Sequence, residues 1–362
     1  MDITAVLKDF MLTEAVSGYE KKMAYKMKAH FEKFADEVLI DRVGNTIAEF
    51  RGTDLEAPRI MVFAHMDQLG FIVRRIEDNG LIQIDRLGGI PEKVLPGLKV
   101  SVATLEEDYI PGIIGNKAHH ATSADEKYKV DLVTSLFVDI GASSKKEVLD
   151  LGIRIGRPIC YKPSFTAMAS GRVSGTTVDN RGGCAALVGV AEALRKRRPA
   201  STVFLVGSVQ EEFNLRGAMI AARRVKPDMA ICFDVSLSGD TPDLGGKYDI
   251  ALSKGPTVCL YNFHGRGTLN GTIAHDGLYK HALLCAREAG IPLQEFASLG
   301  LLTDNAYVQL EGLGIACLDM GFPARYTHSP IETCDVGDLE KLVRLSAIMV
   351  EKIGKGFSVS RY

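Results

Sequence analysis

The chain is predicted to be an α/β protein: a mostly parallel mixed sheet covered by helices on both faces, with a small β domain inserted into it. Three observations carry that prediction. Runs that are apolar throughout, such as RIMVFAHMD, TVFLVGSV, MAICFDV and IACLDMG, are separated by stretches with helical spacing, and strands apolar at every position suit a parallel sheet buried on both faces. Between Gln68 and Ser164 the texture changes to alternating apolar and polar residues broken by glycine and proline. Finally, 362 residues exceed what one core comfortably organises, so a large domain with a smaller companion is expected.

Taken in order, residues 2–12 and 20–34 carry Phe10 and Met11, then Met23, Met27 and Phe31, at helical spacing, with Ser17 a candidate cap three residues before Glu20. NTIAEFRG and RIMVFAHMD read as strands. GFIVRRIEDNGLIQIDRLGG alternates around Asp78, Asn79 and Gly80, a hairpin signal, and short strands follow in GLKVSVATLEEDYIPGIIG. The α/β pattern then returns with a helix from Gly182 to Arg198, stopped before Pro199. After it come the strand VFLVGSV, the helix-like LRGAMIAARR, the strand MAICFDV, a loop rich in Gly and Asp, and the strand ALSKGPTVCL. The helix GLYKHALLCAREAG, the strand IACLDMG and a helix from Asp338 to about Ile353 complete the pattern. A catalytic-type domain in two parts, residues 1–67 and 165–362, is therefore expected around an inserted β domain, residues 68–164.

Composition narrows the function. The formal charge is only -2, with acids and bases spread along the chain, so no basic patch argues for nucleic acid or an anionic membrane. No apolar run approaches the roughly eighteen residues of a membrane span, and MDITAVLKDFMLTEAVSGYE lacks the features of a signal peptide. Seven cysteines without a CxxC pair, such as Cys232 and Cys317 in apolar runs, read as reduced core residues. A cytoplasmic protein acting on small or mixed substrates is the expectation.

In open α/β sheets ligands collect outside the carboxyl ends of the strands. His65 and Asp67 end RIMVFAHMD, Glu211 and Glu212 follow VFLVGSVQ, Asp234 ends MAICFD, His328 follows IACLDMG by a short loop, and Asp179 precedes the helix near Gly182. Singly, each has a plain reading as a cap, a turn residue or a solvated strand end. Together they should meet at one sheet edge, which independent caps would not do. Histidines and carboxylates without cysteine suit zinc, cobalt or manganese. Two histidines with three carboxylates are too many for one catalytic ion, and suit two ions about 3.5 to 4 Å apart that share a carboxylate and activate water. Adjacent strand residues point to opposite faces, so the strand is expected to end at Glu211 and Glu212, with the chain turning there, if both are to reach one site.

AHMDQLGF, TVDNRGGCAAL, SVQEEFNLRGA, FDVSLSGDTPD and RYTHSP, in this order along the chain, closely resemble the dinuclear metallo-aminopeptidases that include glutamyl, deblocking and tetrahedral self-compartmentalising enzymes. Some relatives carry endoglucanase labels, and paired carboxylates also serve glycosidases. The resemblance implies that His65 and Asp234 hold one ion, that Glu212 and His328 hold the other, and that Asp179 bridges both. It implies that Asp67 orients His65 and that Glu211 is the general base. It further implies short peptide substrates and a homo-oligomer, in the tetrahedral case a dodecamer, assembled through the inserted domain. Gln68, Asn214 and Leu215 depart from the family pattern beside the ligands. His119 and His120 lie in a loop that in assembled relatives can approach a neighbouring site, or are simply exposed. Acidic selectivity would call for a basic pocket residue, for which Lys247, Arg266 and Arg325 are candidates. A related amidohydrolase or carboxypeptidase, and an inactive scaffold on the same fold, are the rival readings.

Overall fold

The computed structural model describes residues 1–265 and 270–362; Arg266, one of the three pocket candidates, lies outside the described residues. The large sheet runs, from one edge to the other, Glu37–Ile40, Thr46–Phe50, Val203–Ser208, Ile60–His65, Met229–Leu237, Ala316–Arg325, Glu332–Asp335, Arg172–Gly175 and Phe165–Ala167. Thr257–Phe263 also pairs with Ala316–Arg325 and carries Gly271–Ile273 and Gln294–Leu299 beside it. The four central strands, Val203–Ser208, Ile60–His65, Met229–Leu237 and Ala316–Arg325, are parallel. The pairs flanking them are antiparallel, so the sheet is mixed around a parallel block.

The period-two alternation of side chains assigns each central residue to one of two helical layers. Val62 and Ala64 face a core shared with the helices Ile3–Met11, Val178–Lys196 and Val336–Glu351. Met61 and Phe63 face Gly217–Val225 and Asn305–Val308. Each of the larger side chains, Met61, Val62 and Phe63, contributes about 1.5–3 kcal/mol when taken out of water, so both layers are needed to hold strands that are apolar at every position. Close approach of the longest helix depends on Gly182, where a Cβ would come within 2.3 Å of the Phe322 ring.

Six strands form a closed barrel in the order Gly70–Ile76, Ile82–Leu87, Phe137–Asp139, Tyr109–Ile114, Lys99–Ala103 and Pro158–Tyr161. It has its own core, in which Phe71, Val73, Ile84, Val100, Val102, Val138 and Ile159 are fully buried. The hairpin read around Gly80 is present, with Gly80 at φ +88° and no room for a Cβ against the Ala142 carbonyl.

Several local expectations change. Ser17 is not a helix cap: the helix is Lys21–Phe31, its first flanking residue is Glu20 with no side-chain cap, and the Ser17 hydroxyl donates to Asp67 instead. The strand expected in ALSKGPTVCL begins only at Thr257, because Pro256 lacks the N–H a ladder needs. The last helix is Val336–Glu351, capped by the Asp335 carboxylate on Gly337. Among the described residues no helix is long and apolar enough to cross a membrane.

Candidate metal centre

All the predicted site residues reach one edge of the parallel block. His65 is the last residue of its strand, and in the pairing of the two neighbouring strands Ser208 stands opposite it. The chain then turns through Gln210, at φ +56°, and delivers Glu211 and Glu212 outside regular strand geometry. Asp234 is still within its strand, which continues to Leu237. Asp179 stands at the start of Val178–Lys196 in a non-helical conformation, φ -82° and ψ 106°. His328 occupies the loop after Ala316–Arg325 at φ +66°.

The Asp179 carboxylate lies between the two histidines. Its Oδ1 is 3.1 Å from His65 Nε2 and its Oδ2 is 3.6 Å from His328 Nε2, while Asp234 Oδ1 is 3.9 Å from His65 Nε2. Two triads result, His65–Asp179–Asp234 and Asp179–Glu212–His328, each with its ligand atoms within 4.8 Å of one another. A third set, His65–Glu211–Glu212, is equally close, so Glu211 stands beside the cluster rather than apart from it.

The surrounding hydrogen bonds fix which atoms face inward. His65 Nδ1 lies 3.2 Å from the Asp67 carbonyl and 3.5 Å from its carboxylate, and His328 Nδ1 lies 2.6 Å from the Gly89 carbonyl. A carbonyl only accepts, so both Nδ1 atoms donate and the Nε2 atoms are the ones that face the cluster, where each offers a lone pair when its ring is neutral. The Asp67 carboxylate has a broader role than orienting an imidazole: it accepts from Glu211 N at 3.0 Å, Glu212 N at 3.1 Å and Ser17 Oγ at 2.5 Å. It therefore sets the turn that carries both glutamates. Gly89, from the segment after the barrel strand Ile82–Leu87, leaves a Cβ only 3.3 Å from the His328 ring.

Two participants were not singled out from the sequence. Glu332 is buried and accepts from Asp179 N at 2.8 Å and His328 N at 2.6 Å, tying two candidate ligands to one carboxylate. A glutamate four residues after His328, between Ile331 and Thr333, was the available signal. Glu20 accepts from Gly18 N at 2.7 Å and Gln210 N at 3.0 Å, steadying the turn from its other side.

The electrostatics ask for cations. Burial, followed by mutual repulsion, pushes the carboxyl groups of Glu212, Asp234 and Glu332 well above the usual carboxylate range. Glu211 rises for the same first reason, with His65 opposing and Glu212, Asp234 and Asp304 adding to it. Burial disfavours charge on His65, but Glu211, Asp179, Asp67 and Asp234 together lift its pKa well above the ordinary imidazole value. Glu212 Oε1 is buried without a hydrogen-bond partner among the described residues. Arg181, fully buried, donates to Gln68 Oε1 and the Thr13 carbonyl and pairs with no carboxylate among the described residues. Buried carboxylates in this number are costly without counter-charge, and divalent ions held by oxygen and imidazole nitrogen fit the donor set.

The cluster opens into a cavity of about 320 Å³, which Asn214, Leu215, Leu237, Phe296, Thr303 and Asp319 help to line. Asn214 and Leu215 both have positive φ, 70° and 55°, a conformation asparagine tolerates better than leucine. Neither remaining basic candidate lines the cavity: Lys247 is exposed, and Arg325 is held by Asp240 through two bonds of 2.7 Å. His119 and His120 sit in an exposed 3-10 turn and do not line it either.

With this geometry in place, comparison with known proteins is decisive. Residues 44–345 match the family described as M42 glutamyl aminopeptidase. The chain belongs to that family. Membership makes it a metal-dependent aminopeptidase, a hydrolase of peptide bonds. It is 40% identical over 333 residues to SgcX of Escherichia coli (strain K12), covering 91% of this chain and 88% of that one. An aminopeptidase from the archaeon Desulfurococcus kamchatkensis superposes with a TM-score of 0.92 at 29% identity, covering 98% of this chain and 96% of that one. The Pyrococcus horikoshii TET1 peptidase, which can assemble into a tetrahedron or a large octahedral shell, superposes with a TM-score of 0.85 at 28% identity, covering 97% and 100%.

Proposed function

We propose that this M42 enzyme removes amino-terminal residues from short peptides at a centre of two divalent ions, zinc, cobalt or manganese. The observation that carries this reading is the pair of triads joined at Asp179. His65, Asp179 and Asp234 would hold one ion, and Asp179, Glu212 and His328 the other. When bound, such ions supply Lewis acidity, polarising the scissile carbonyl and making water nucleophilic near neutral pH.

The chain's own residues then do the rest. Glu211, with a carboxyl pKa raised by burial, takes the proton from the attacking water and passes it to the leaving nitrogen. Asp67 positions Glu211 through its backbone N–H. The carboxylates at the cavity's inner end attract a free substrate ammonium, which favours exopeptidase over endopeptidase action.

We divide the chain into catalytic parts 1–67 and 165–362 and a barrel insert, 68–164, used for assembly. A homo-oligomer is supported by the likeness to the P. horikoshii peptidase, and a tetrahedral dodecamer would admit only short, unfolded peptides. Seven free, buried cysteines suit a reducing compartment such as the cytoplasm. Free and N-acetylated aminoacyl anilides, assayed after metal removal and readdition, test the reading. Turnover of the free substrates alone, lost on chelation and restored by metal, is expected. Equal rates on blocked substrates would favour an amidohydrolase, and no turnover with bound metal would favour a scaffold.

A further inference from the structure

We propose that the part of the cavity lined by Asn262, Thr303 and Asp319 is a subsite for a cationic side chain on the substrate's amino-terminal residue, with Asp319 supplying its charge; this rests on the aminopeptidase reading above. Asp319 lies in Ala316–Arg325, opposite Cys232 on one neighbouring strand and Cys259 on the other. It shares a sheet face with Asp234, two residues beyond Cys232. Diagonal neighbours on adjacent strands stand about 7–8 Å apart, a separation the four-carbon stem of a lysine can largely bridge.

The carboxylate is unusual in what it touches. Its Oδ1 accepts from Thr303 Oγ1 at 2.8 Å and Asn305 Nδ2 at 2.7 Å, and its Oδ2 accepts from Asn262 Nδ2 and Thr272 Oγ1, both at 2.9 Å. Asp319 is 5% exposed, yet no lysine or arginine among the described residues pairs with it. Burial pushes its carboxyl above the usual carboxylate range, and the four neutral donors oppose that rise by stabilising the ionised form without cancelling its charge. A buried, uncompensated charge is expensive, and that expense has a purpose when the counter-charge arrives with the substrate.

Thr303 and Asn262 line the cavity together with Asp319. Because the Thr303 hydroxyl proton points at Asp319, its lone pairs are free to accept an N–H from the cavity side. Leu237, Phe296, Leu301, Leu302 and Met320 supply apolar wall, which suits an aliphatic stem ending in an ammonium. A glutamyl side chain would meet Asp319 with like charge, and no lysine or arginine among the described residues lines the cavity to receive it.

The test compares kcat/KM for lysyl and norleucyl p-nitroanilides on the metal-loaded full chain, substrates with matched stems that differ in a terminal ammonium or methyl. The lysyl substrate should be favoured about tenfold or more, as expected when a site built for a polar group meets an analogue lacking it. Asp319→Asn should abolish or invert the ratio, and Thr303→Val should reduce it chiefly through KM. If Asp319 only braces the surrounding loops, Asp319→Asn will lower both substrates in parallel and leave the ratio intact, overturning the proposal. A wild-type ratio of one or below would also overturn it. Should Asp319→Asn fail to fold, competitive inhibition of the unaltered enzyme decides: free lysine must inhibit better than norleucine, and equal inhibition rejects the subsite. Failure of every unblocked anilide would instead contradict the aminopeptidase reading itself.

Discussion

The two candidate ion sites are built from different materials. His65, Asp179 and Asp234 are all buried, and two of them sit in central parallel strands. Glu212 and His328 are only partly buried and come from a turn and a loop, both with positive-φ residues beside or at them. The His328 ring is also held from the barrel, through Gly89. Strand-borne ligands are fixed by the core, whereas loop-borne ligands depend on neighbouring contacts. The first site should therefore bind its ion more tightly and the second should exchange more readily.

The largest expected effect is at the inner site. His65→Ala should empty it and lower kcat/KM by about a thousandfold or more, roughly 4 kcal/mol of transition-state stabilisation, with metal content measured by elemental analysis. His328→Ala should lose only the second ion, taking the content from two per chain to one and activity down by about a hundredfold. Equal loss of both ions in the two variants would erase the distinction between the sites. Asp67→Asn should keep both ions, because the closer of the two His65 contacts, at 3.2 Å, uses the Asp67 main chain. Its amide cannot accept from Glu211 N and Glu212 N as the carboxylate does, so kcat should fall about 10–100-fold, the usual cost of losing an outer positioning group.

A smaller effect is in stability. Burial raises the Glu20 carboxyl to about 8 and that of Asp304 to about 7. Groups with raised folded-state pKa values support the fold below their unfolded values and withdraw that support as pH rises through the raised ones. The thermal midpoint of metal-stripped protein should therefore fall between about pH 4.5 and 8, and metal loading should flatten that decline. A midpoint that rises across this range without metal would contradict the picture of uncompensated acids.

The parallel block and the convergence of the seven singled-out residues on one of its edges were legible in the sequence, because apolar strands ending in acids and histidines mark both the sheet and the edge where those side chains gather. The fixtures behind them were not. Ser17 meets Asp67, Gly89 meets His328 and Glu20 meets Gln210 only after distant segments pack together. Ser17 resembled a cap because local spacing cannot reveal a partner fifty residues away. Asp319 was hidden inside IACLDMG, where one acid in an apolar strand carries no sign of the four donors that surround it. The antiparallel flanks were also less legible, since strands such as Glu37–Ile40 and Gln294–Leu299 are short and partly exposed.

The division of labour between the adjacent glutamates is tested most directly by Glu211→Gln, with metal content and kcat measured on the same preparation. Two ions per chain should be retained while kcat falls by about a thousandfold or more, the loss expected when a general base is removed. Loss of an ion would make Glu211 a ligand, as its place in the third set of close donors allows. Unchanged activity with both ions bound would contradict its role as the base.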